Sequence, residues 1–147
     1  MTYEKGQSLF EVVIALAIST IIIVTLVSLV SSSIRNSTFS RNKTLASRHA
    51  QEATEWLRGQ RDTDIETFRT NVLTIIWCMK DLAWTISGPC AAGDKIPGTS
   101  FSREISFTSA SVSGKVVMEA NIRVFWEDSQ GDHEVTSATS FSDWRER

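Results

Sequence analysis

The chain has 147 residues and a formal net charge of −2, so it is the size of one domain and lacks the strong field expected of a protein that binds nucleic acid. Its apolar residues are unevenly distributed, and no charged side chain occurs from Val12 to Ile34. A helix over this range is roughly 35 Å long, which exceeds the ~30 Å hydrocarbon layer of a membrane. We therefore expect a membrane-inserted protein with one soluble domain.

A cleaved secretory signal is the first alternative for the apolar range. Such a signal has an apolar core of about 7–15 residues and ends at a small-x-small site. The pattern at Ala15 and Ala17 comes too early for this, and the nearest candidate after Val30 is 31–33. The cleaved signal is therefore the less favoured interpretation.

The helix is predicted to continue beyond the apolar range, because no proline or glycine occurs between Gly6 and Gly59. In its later part, apolar or partly apolar side chains recur at three- and four-residue steps: Leu45, Ala46, His49, Ala53, Trp56 and Leu57. We predict one helix over 7–60, in which 7–34 is apolar on all sides and forms the membrane-spanning half. The second half, 35–60, is amphipathic.

The connecting region, 61–100, gives a weaker pattern. Residues 73–86 are apolar but follow neither the helical nor the strand period, and 87–100 contain both prolines, Pro89 and Pro97. Clusters of turn residues of this kind are typical of loops. We expect a connecting loop, with room for a short helix, packed on the domain.

From Phe101 onwards the apolar period becomes two, which is typical of strands with one buried face. Apolar side chains alternate with polar ones in "FSREISF" and "VMEANIRVFWE", and Gly131 lies in a short polar gap before a third such run. This gap predicts a β-hairpin. The sequence therefore predicts an antiparallel sheet over 101–147, with the helical stripe covering its apolar face. The fold class is α+β, in the form of a ladle.

Cys78 and Cys90 are the only cysteines. In a domain outside the cytoplasm, an even number of cysteines favours a disulfide. Closing this loop stabilises the fold by about 3 kcal/mol on the chain-entropy account. Two buried free thiols are the alternative if the domain is cytoplasmic.

No catalytic or metal-binding pattern is present in the sequence. His49 and His133 have no Cys, Asp or Glu at metal-ligand spacing, and there is no phosphate-binding glycine loop or nucleophile elbow. Residues 101–147 contain more acidic than basic side chains, which disfavours nucleic acid as a partner. We expect no enzymatic activity and no cofactor.

Glu11 is a carboxylate at the edge of the apolar range, where an ionised group in lipid costs a few kcal/mol. A cut between Gly6 and Gln7 would create an α-amine four residues from Glu11. Each subunit of an assembly would then present an amine and a carboxylate that pair with those of a neighbour. In the simpler interpretation, Glu11 marks the cytoplasmic end of an ordinary span.

The stretch "KGQSLFEVVIALAI" resembles the class III leader of type IV pilins and pseudopilins, in which lysine and glycine precede a cut and Phe-Thr-Leu-Ile-Glu follows it. Gly6 matches the residue before the cut and Glu11 the fifth mature residue, while Gln7 stands where phenylalanine is usual. The stretch "LASRHAQEATEWLRGQRD" and the closing strands are similar to minor pilins of the type IV pilus modification protein group and to I-type pseudopilins.

The resemblance implies a non-enzymatic minor subunit of a type IV pilus or a type II secretion-like filament. A prepilin peptidase would remove the leader, 1–6, by cutting after Gly6, and Gln7 would be N-methylated. Glu11 would set the register in assembly. The implied partners are other pilin or pseudopilin subunits, the peptidase, membrane lipids, and an assembly platform protein with its ATPase.

The charges that flank the span oppose the topology that this family implies. Lysines and arginines mark the cytoplasmic side, and Lys5, offset by Glu4, is outnumbered by four basic residues after the span: Arg35, Arg41, Lys43 and Arg48. The resemblance instead implies a cytoplasmic-membrane precursor whose C-terminal domain lies outside, and then an extracellular or periplasmic filament. A single-pass anchored binding protein that does not polymerise is the alternative.

Overall fold

The computed structural model describes the backbone of residues 9–112 and 115–142, and the side chains of these residues except 110–116 and 142. A long N-terminal helix packs on a five-stranded antiparallel sheet. This confirms the predicted α+β fold class. The chain divides into two compact units at Arg41 and Asn42, within the long helix.

Two helices and five strands follow one another along the chain. The helices are α1 (Leu9–Thr63) and α2 (Ile65–Val72). The strands are β1 (Ile76–Cys78), β2 (Ile86–Ser87), β3 (Ser102–Val112), β4 (Lys115–Asp128) and β5 (Gly131–Ser142). All neighbouring strands are antiparallel, and their order in the sheet is β2-β1-β3-β4-β5.

The helix α1 ends where Asp64 leaves the helical conformation. Asp64 has φ −147° and ψ 95°, and its carboxylate accepts hydrogen bonds from the backbone N–H groups of Glu66 and Thr67, each at 3.1 Å. It therefore caps the N-terminus of α2. The hydrogen bonds from Thr67, followed by that from Glu66, hold the pKa of Asp64 below its ordinary value.

The core lies between the second half of α1 and one face of the sheet. The helix contributes small side chains that allow a close approach: Ala46, Ala50 and Ala53 are almost completely buried, and Leu57 is fully buried beside them. The sheet contributes alternate residues of β3 and β4: Ile105, Phe107, Ala120, Ile122, Val124 and Trp126. Phe101, which directly precedes β3, is buried as well. The predicted apolar stripe thus covers the predicted apolar face.

The predicted hairpin between β4 and β5 is confirmed. Asp128 pairs with Gly131 across two turn residues, and Gly131 adopts a φ of +116°, which favours glycine. The carboxylate of Asp128 accepts a hydrogen bond from the backbone N–H of Gln130 at 2.8 Å. This bond fixes the turn and lowers the pKa of Asp128.

The connecting region is more ordered than the sequence predicts, because it contains α2 and the two short strands β1 and β2. Three and two residues are too few to show a strand period. The conformation of β1 depends on its pairing with β3, which is more than twenty residues later in the chain. The indole N–H of Trp77 in β1 also donates to the carbonyl of Asn71 in α2 at 2.9 Å. The ring of Trp84 contacts aromatic rings from both helices and from β1: Trp56, Phe68 and Trp77.

Candidate functional site

The N-terminal half of α1 is an exposed apolar surface. Its aliphatic side chains from Val12 to Val30 are between 43% and 66% exposed. By length and composition, α1 is a helix that is able to cross a membrane. An apolar surface of this extent needs a cover of lipid or protein.

The hydroxyl groups in this apolar half are partly satisfied within the helix itself. Three of them donate to backbone oxygens about one turn earlier: Ser19 to Ala15 (2.7 Å), Thr20 to Leu16 (2.8 Å) and Thr25 to Ile22 (2.8 Å). A hydroxyl that is already bonded presents no unpaired donor to hydrocarbon. These polar residues are therefore compatible with an apolar environment.

Glu11 lies in the first turn of the described α1, next to the exposed side chains of Leu9 and Phe10. Among the residues that the structure describes, none forms a recorded ion pair with Glu11. Gly6 and Gln7, the predicted cleavage and methylation positions, lie outside the described residues.

Cys78 and Cys90 are joined by a disulfide. Cys78 ends β1 and is buried, whereas Cys90 belongs to the loop after β2. The backbone N–H of Cys90 also donates to the carboxylate of Glu104 on β3, at 2.8 Å. The disulfide and this hydrogen bond together attach the loop to the sheet.

Arg103 on β3 is a buried cation that the sequence reasoning missed, since its side chain is only 2% exposed. It donates to the carbonyls of Met79 and His49, both at 3.0 Å, and to the carboxylate of Glu52 at 3.1 Å. It thus ties the sheet to α1 and to the residue that follows β1. The available signal was its place in "FSREISF", because Arg103 has the same strand parity as the buried Phe101 and Ile105.

The Arg103–Glu52 pair has one buried and one half-exposed partner. Burial lowers the pKa of Arg103, while the hydrogen bond and the charge of Glu52 oppose this effect. Partial burial by itself would raise the pKa of Glu52, but hydrogen bonds from His49 and Arg103 outweigh it and hold that pKa below its ordinary value. The pair is a structural clamp and contains no nucleophile.

The two histidines each contact one carboxylate. His49 Nδ1 lies 3.4 Å from Glu52 Oε2, and His133 Nε2 lies 3.0 Å from Asp128 Oδ1. Over residues 9–112 and 115–142, no group of three or more His, Cys, Asp or Glu side chains is arranged to hold a metal ion. The contact of His49 lies within α1, and that of His133 lies at the hairpin between β4 and β5.

Comparisons with protein-family models, curated proteins and solved structures find no match to this chain. The grounds for assigning a function are therefore its own sequence pattern and fold.

Reduction of the disulfide is expected to lower the free energy of unfolding by about 3 kcal/mol, because the unfolded chain gains the entropy of an open loop. Urea unfolding of the full chain in detergent micelles, followed by tryptophan fluorescence, measures this loss. The Cys78→Ala/Cys90→Ala double variant is the control and should not respond to reductant. Alkylation of both cysteines in native, unreduced protein would contradict the prediction.

The Arg103–Glu52 pair is expected to make stability depend on acid pH. Because the pKa of Glu52 is depressed in the folded state, its contribution is complete above the ordinary glutamate pKa, about 4.3, and is lost as the pH falls through the depressed value. Unfolding free energies measured from pH 7 downwards should therefore fall less steeply in Glu52→Gln than in the unchanged chain. Glu119→Gln, at an exposed position on β4, is the matched control; equal slopes in all three proteins would refute this role.

Proposed function

We propose that the protein is a minor pilin or pseudopilin, a non-enzymatic structural subunit of a type IV pilus or a type II secretion-like filament. The observation that carries the proposal is the spacing from Gly6 to Glu11 directly before a long apolar helix. The fold supports it, because the same helix continues to Thr63 and packs its second half on an antiparallel sheet.

Processing creates the subunit that assembles. A prepilin peptidase cuts after Gly6, where the absence of a side chain admits the peptidase's active site. Gln7 becomes the first residue and receives the N-methyl group. Counted from this cut, Glu11 is the fifth residue of the mature chain.

Assembly uses the two features of the apolar half of α1. Glu11 neutralises the terminal amine of a neighbouring subunit and sets the axial register. The exposed aliphatic side chains from Val12 to Val30 contact lipid in the precursor and other subunits in the filament. An assembly platform and its ATPase drive the transfer from one environment to the other.

The disulfide supports a location of the C-terminal domain outside the cytoplasm, because disulfides persist in oxidising compartments. The basic residues after the span favour the opposite side. They belong to a helix that continues without a break, whereas the charge rule is counted over short loops. We therefore place the subunit in the cytoplasmic membrane with its domain outside, and afterwards in an extracellular or periplasmic filament.

A single-pass anchored protein that does not polymerise is the second candidate. It is favoured by the charge bias across the span and by Gln7, which stands where phenylalanine is usual in the leader pattern. Such a protein would keep its first residues and would not depend on Gly6.

The mature N-terminus distinguishes the two candidates. Intact-mass and N-terminal sequence analysis of the chain, produced with a prepilin peptidase, is expected to show Gln7 as the first residue. Gly6→Val should leave the precursor at its full mass, because a side chain before the cut blocks the active site. A chain that retains Met1 in the presence of an active peptidase would support the anchored binding protein instead.

Replacement of Glu11 tests assembly separately from processing. Glu11→Ala should be cut normally but should enter filaments at least about tenfold less well, because a charge pair in an apolar layer is worth a few kcal/mol and each 1.4 kcal/mol corresponds to a factor of ten. Quantitative immunoblots of sheared filaments measure incorporation. Glu119→Ala, at an exposed position on β4, is the control, and incorporation of Glu11→Ala at the control level would refute the assembly role.

A further inference from the structure

The strand β5 forms one edge of the sheet. It pairs with β4 on one side, and no described strand lies on its other side. The two edges differ in length, because β5 has twelve residues while β2, at the opposite edge, has two. An edge strand of this length presents a row of backbone donors and acceptors to a further strand.

The register shows which residues of β5 direct their backbone groups outwards. Arg103 and Phe107, two residues before and after Ile105, form backbone hydrogen bonds with the residues that flank β1: Met79 N–H donates to Arg103 O (2.8 Å) and Phe107 N–H donates to Ile75 O (3.0 Å). Ile105, which lies between them and pairs with Trp77, therefore directs its own backbone groups towards β1. Successive residues of a strand direct their backbone hydrogen-bonding groups to opposite sides. Ile122 of β4 is opposite Ile105 but not hydrogen-bonded to it, so the backbone groups of Ile122 bond to Ser137 of β5. Thr136 and Ala138 therefore point their N–H and C=O groups away from the sheet, and so do Glu134 and Ser140.

Within the part of the chain that the structure describes, this edge lacks the features that normally prevent strand addition. Residues 135–141 contain no charge and no proline, and the pairing with β4 runs without a bulge from Ser142 to Gly131. The nearest charge, that of Glu134, is engaged by Arg123 of β4 at 2.6 Å. Edges that stay unpaired are usually protected by lysines, prolines, bulges or a covering element.

A groove of about 410 Å³ lies along β5 on the side of α1. Its walls include Gln51 and Thr54 of the helix and Ser137 and Thr139 of the strand. The groove also contains Glu55 and Arg58, which form an ion pair at 2.6 Å and leave it without net charge. Side chains that enter the groove from an added strand would meet a polar, neutral surface.

We propose that the β5 edge binds an extended segment of another protein as a sixth strand of the sheet. Backbone hydrogen bonds to Glu134, Thr136, Ala138 and Ser140 provide the affinity, and the groove selects the side chains that face α1. The matching segment is uncharged over about five residues, the usual length of a strand, and carries small hydroxyl or amide side chains on its helix-facing positions.

A second copy of this chain fits the edge less well. Pairing β5 with the two-residue β2 of a copy gives almost no ladder, and antiparallel pairing of two β5 strands needs a twofold axis perpendicular to the sheet. That axis reverses α1, so the ends that lead to the apolar segments would point in opposite directions. Two copies anchored in one membrane cannot adopt this arrangement, and this step rests on the anchoring in the proposed function.

Hydrogen exchange of the full chain in detergent micelles tests strand addition directly. The probe is a capped, uncharged peptide of about eight residues in which valine alternates with serine or threonine; its control has the same composition except for prolines at alternate positions. At a concentration of the first peptide ten times its Kd, exchange at Thr136, Ala138 and Ser140 should slow about tenfold, because exchange proceeds from the unbound fraction. The amides of Ser137 and Thr139, already bonded to β4, should not change.

Two variants separate the edge from the groove. Ala138→Pro removes an outward N–H and should weaken peptide binding at least about tenfold, the loss expected for one hydrogen bond and its strand geometry. Thr108→Val, at an exposed position on β3 and outside the proposed edge and groove, is the control and should bind normally. If Ala138→Pro alters the circular dichroism spectrum, Gln51→Trp provides the second test, because it fills the groove from an exposed helical position and should also weaken binding.

The proposal is overturned if the alternating peptide slows none of these amides at millimolar concentration, or if the proline peptide slows them equally. If exchange of these amides is slowed without peptide, and the slowing increases with protein concentration, the occupant is a second copy of the chain. This result would also overturn the proposal. These outcomes do not depend on cleavage after Gly6 or on Glu11, so they are separate from those that test the pilin assignment.

Discussion

The burial of one stripe of α1 against the sheet is the constraint on which the described domain depends. Ala46, Ala50 and Ala53 have side chains small enough for the helix backbone to approach the strands closely, and Leu57 fills the space beside them. The sheet has one apolar face, which α1 covers together with Phe68 of α2, whose ring lies 5.4 Å from that of Phe141 and 6.5 Å from that of Phe107. Without this contact, Ile122 and the other buried residues of the strands would be exposed to water, which costs about 1.5–3 kcal/mol for each large aliphatic side chain.

The same helix also carries an apolar surface that has no cover among the described residues. Its N-terminal half satisfies its own backbone hydrogen bonds and, at Ser19, Thr20 and Thr25, its hydroxyl groups as well. A segment with these properties is suited both to lipid and to a bundle of helices, because it needs no hydrogen bonds from its surroundings at these positions. The change from uniform to one-sided hydrophobicity along α1 therefore suits its two halves to two different environments.

Periodicity decided which parts of the structure could be predicted. The helix and the long strands repeat their pattern often enough to be recognised, and Gly131 marks the hairpin. β1 and β2 are too short for a pattern, and their pairing depends on β3, more than twenty residues away for Ile76 and Ser106.

Arg103 was missed because a charged residue in an alternating strand is normally assigned to the solvent face, although its parity placed it in the core. The cleavage positions lie outside the described residues, so the predictions for Gly6 and Gln7 still depend on the sequence alone.

In the proposed function, Glu11 needs a cationic partner at its own end of the apolar segment. The next basic residue after it is Arg35, about 36 Å further along a helix with a rise of 1.5 Å per residue. Lys5 is closer, but the proposed cut removes it together with the leader. The cut also creates the α-amine of Gln7, which becomes the remaining cation at this end of the apolar segment. Under the proposed cut, the spacing from Gly6 to Glu11 matters more than the glutamate alone, because it would place the carboxylate and the new amine in the same layer, where each subunit would neutralise the next.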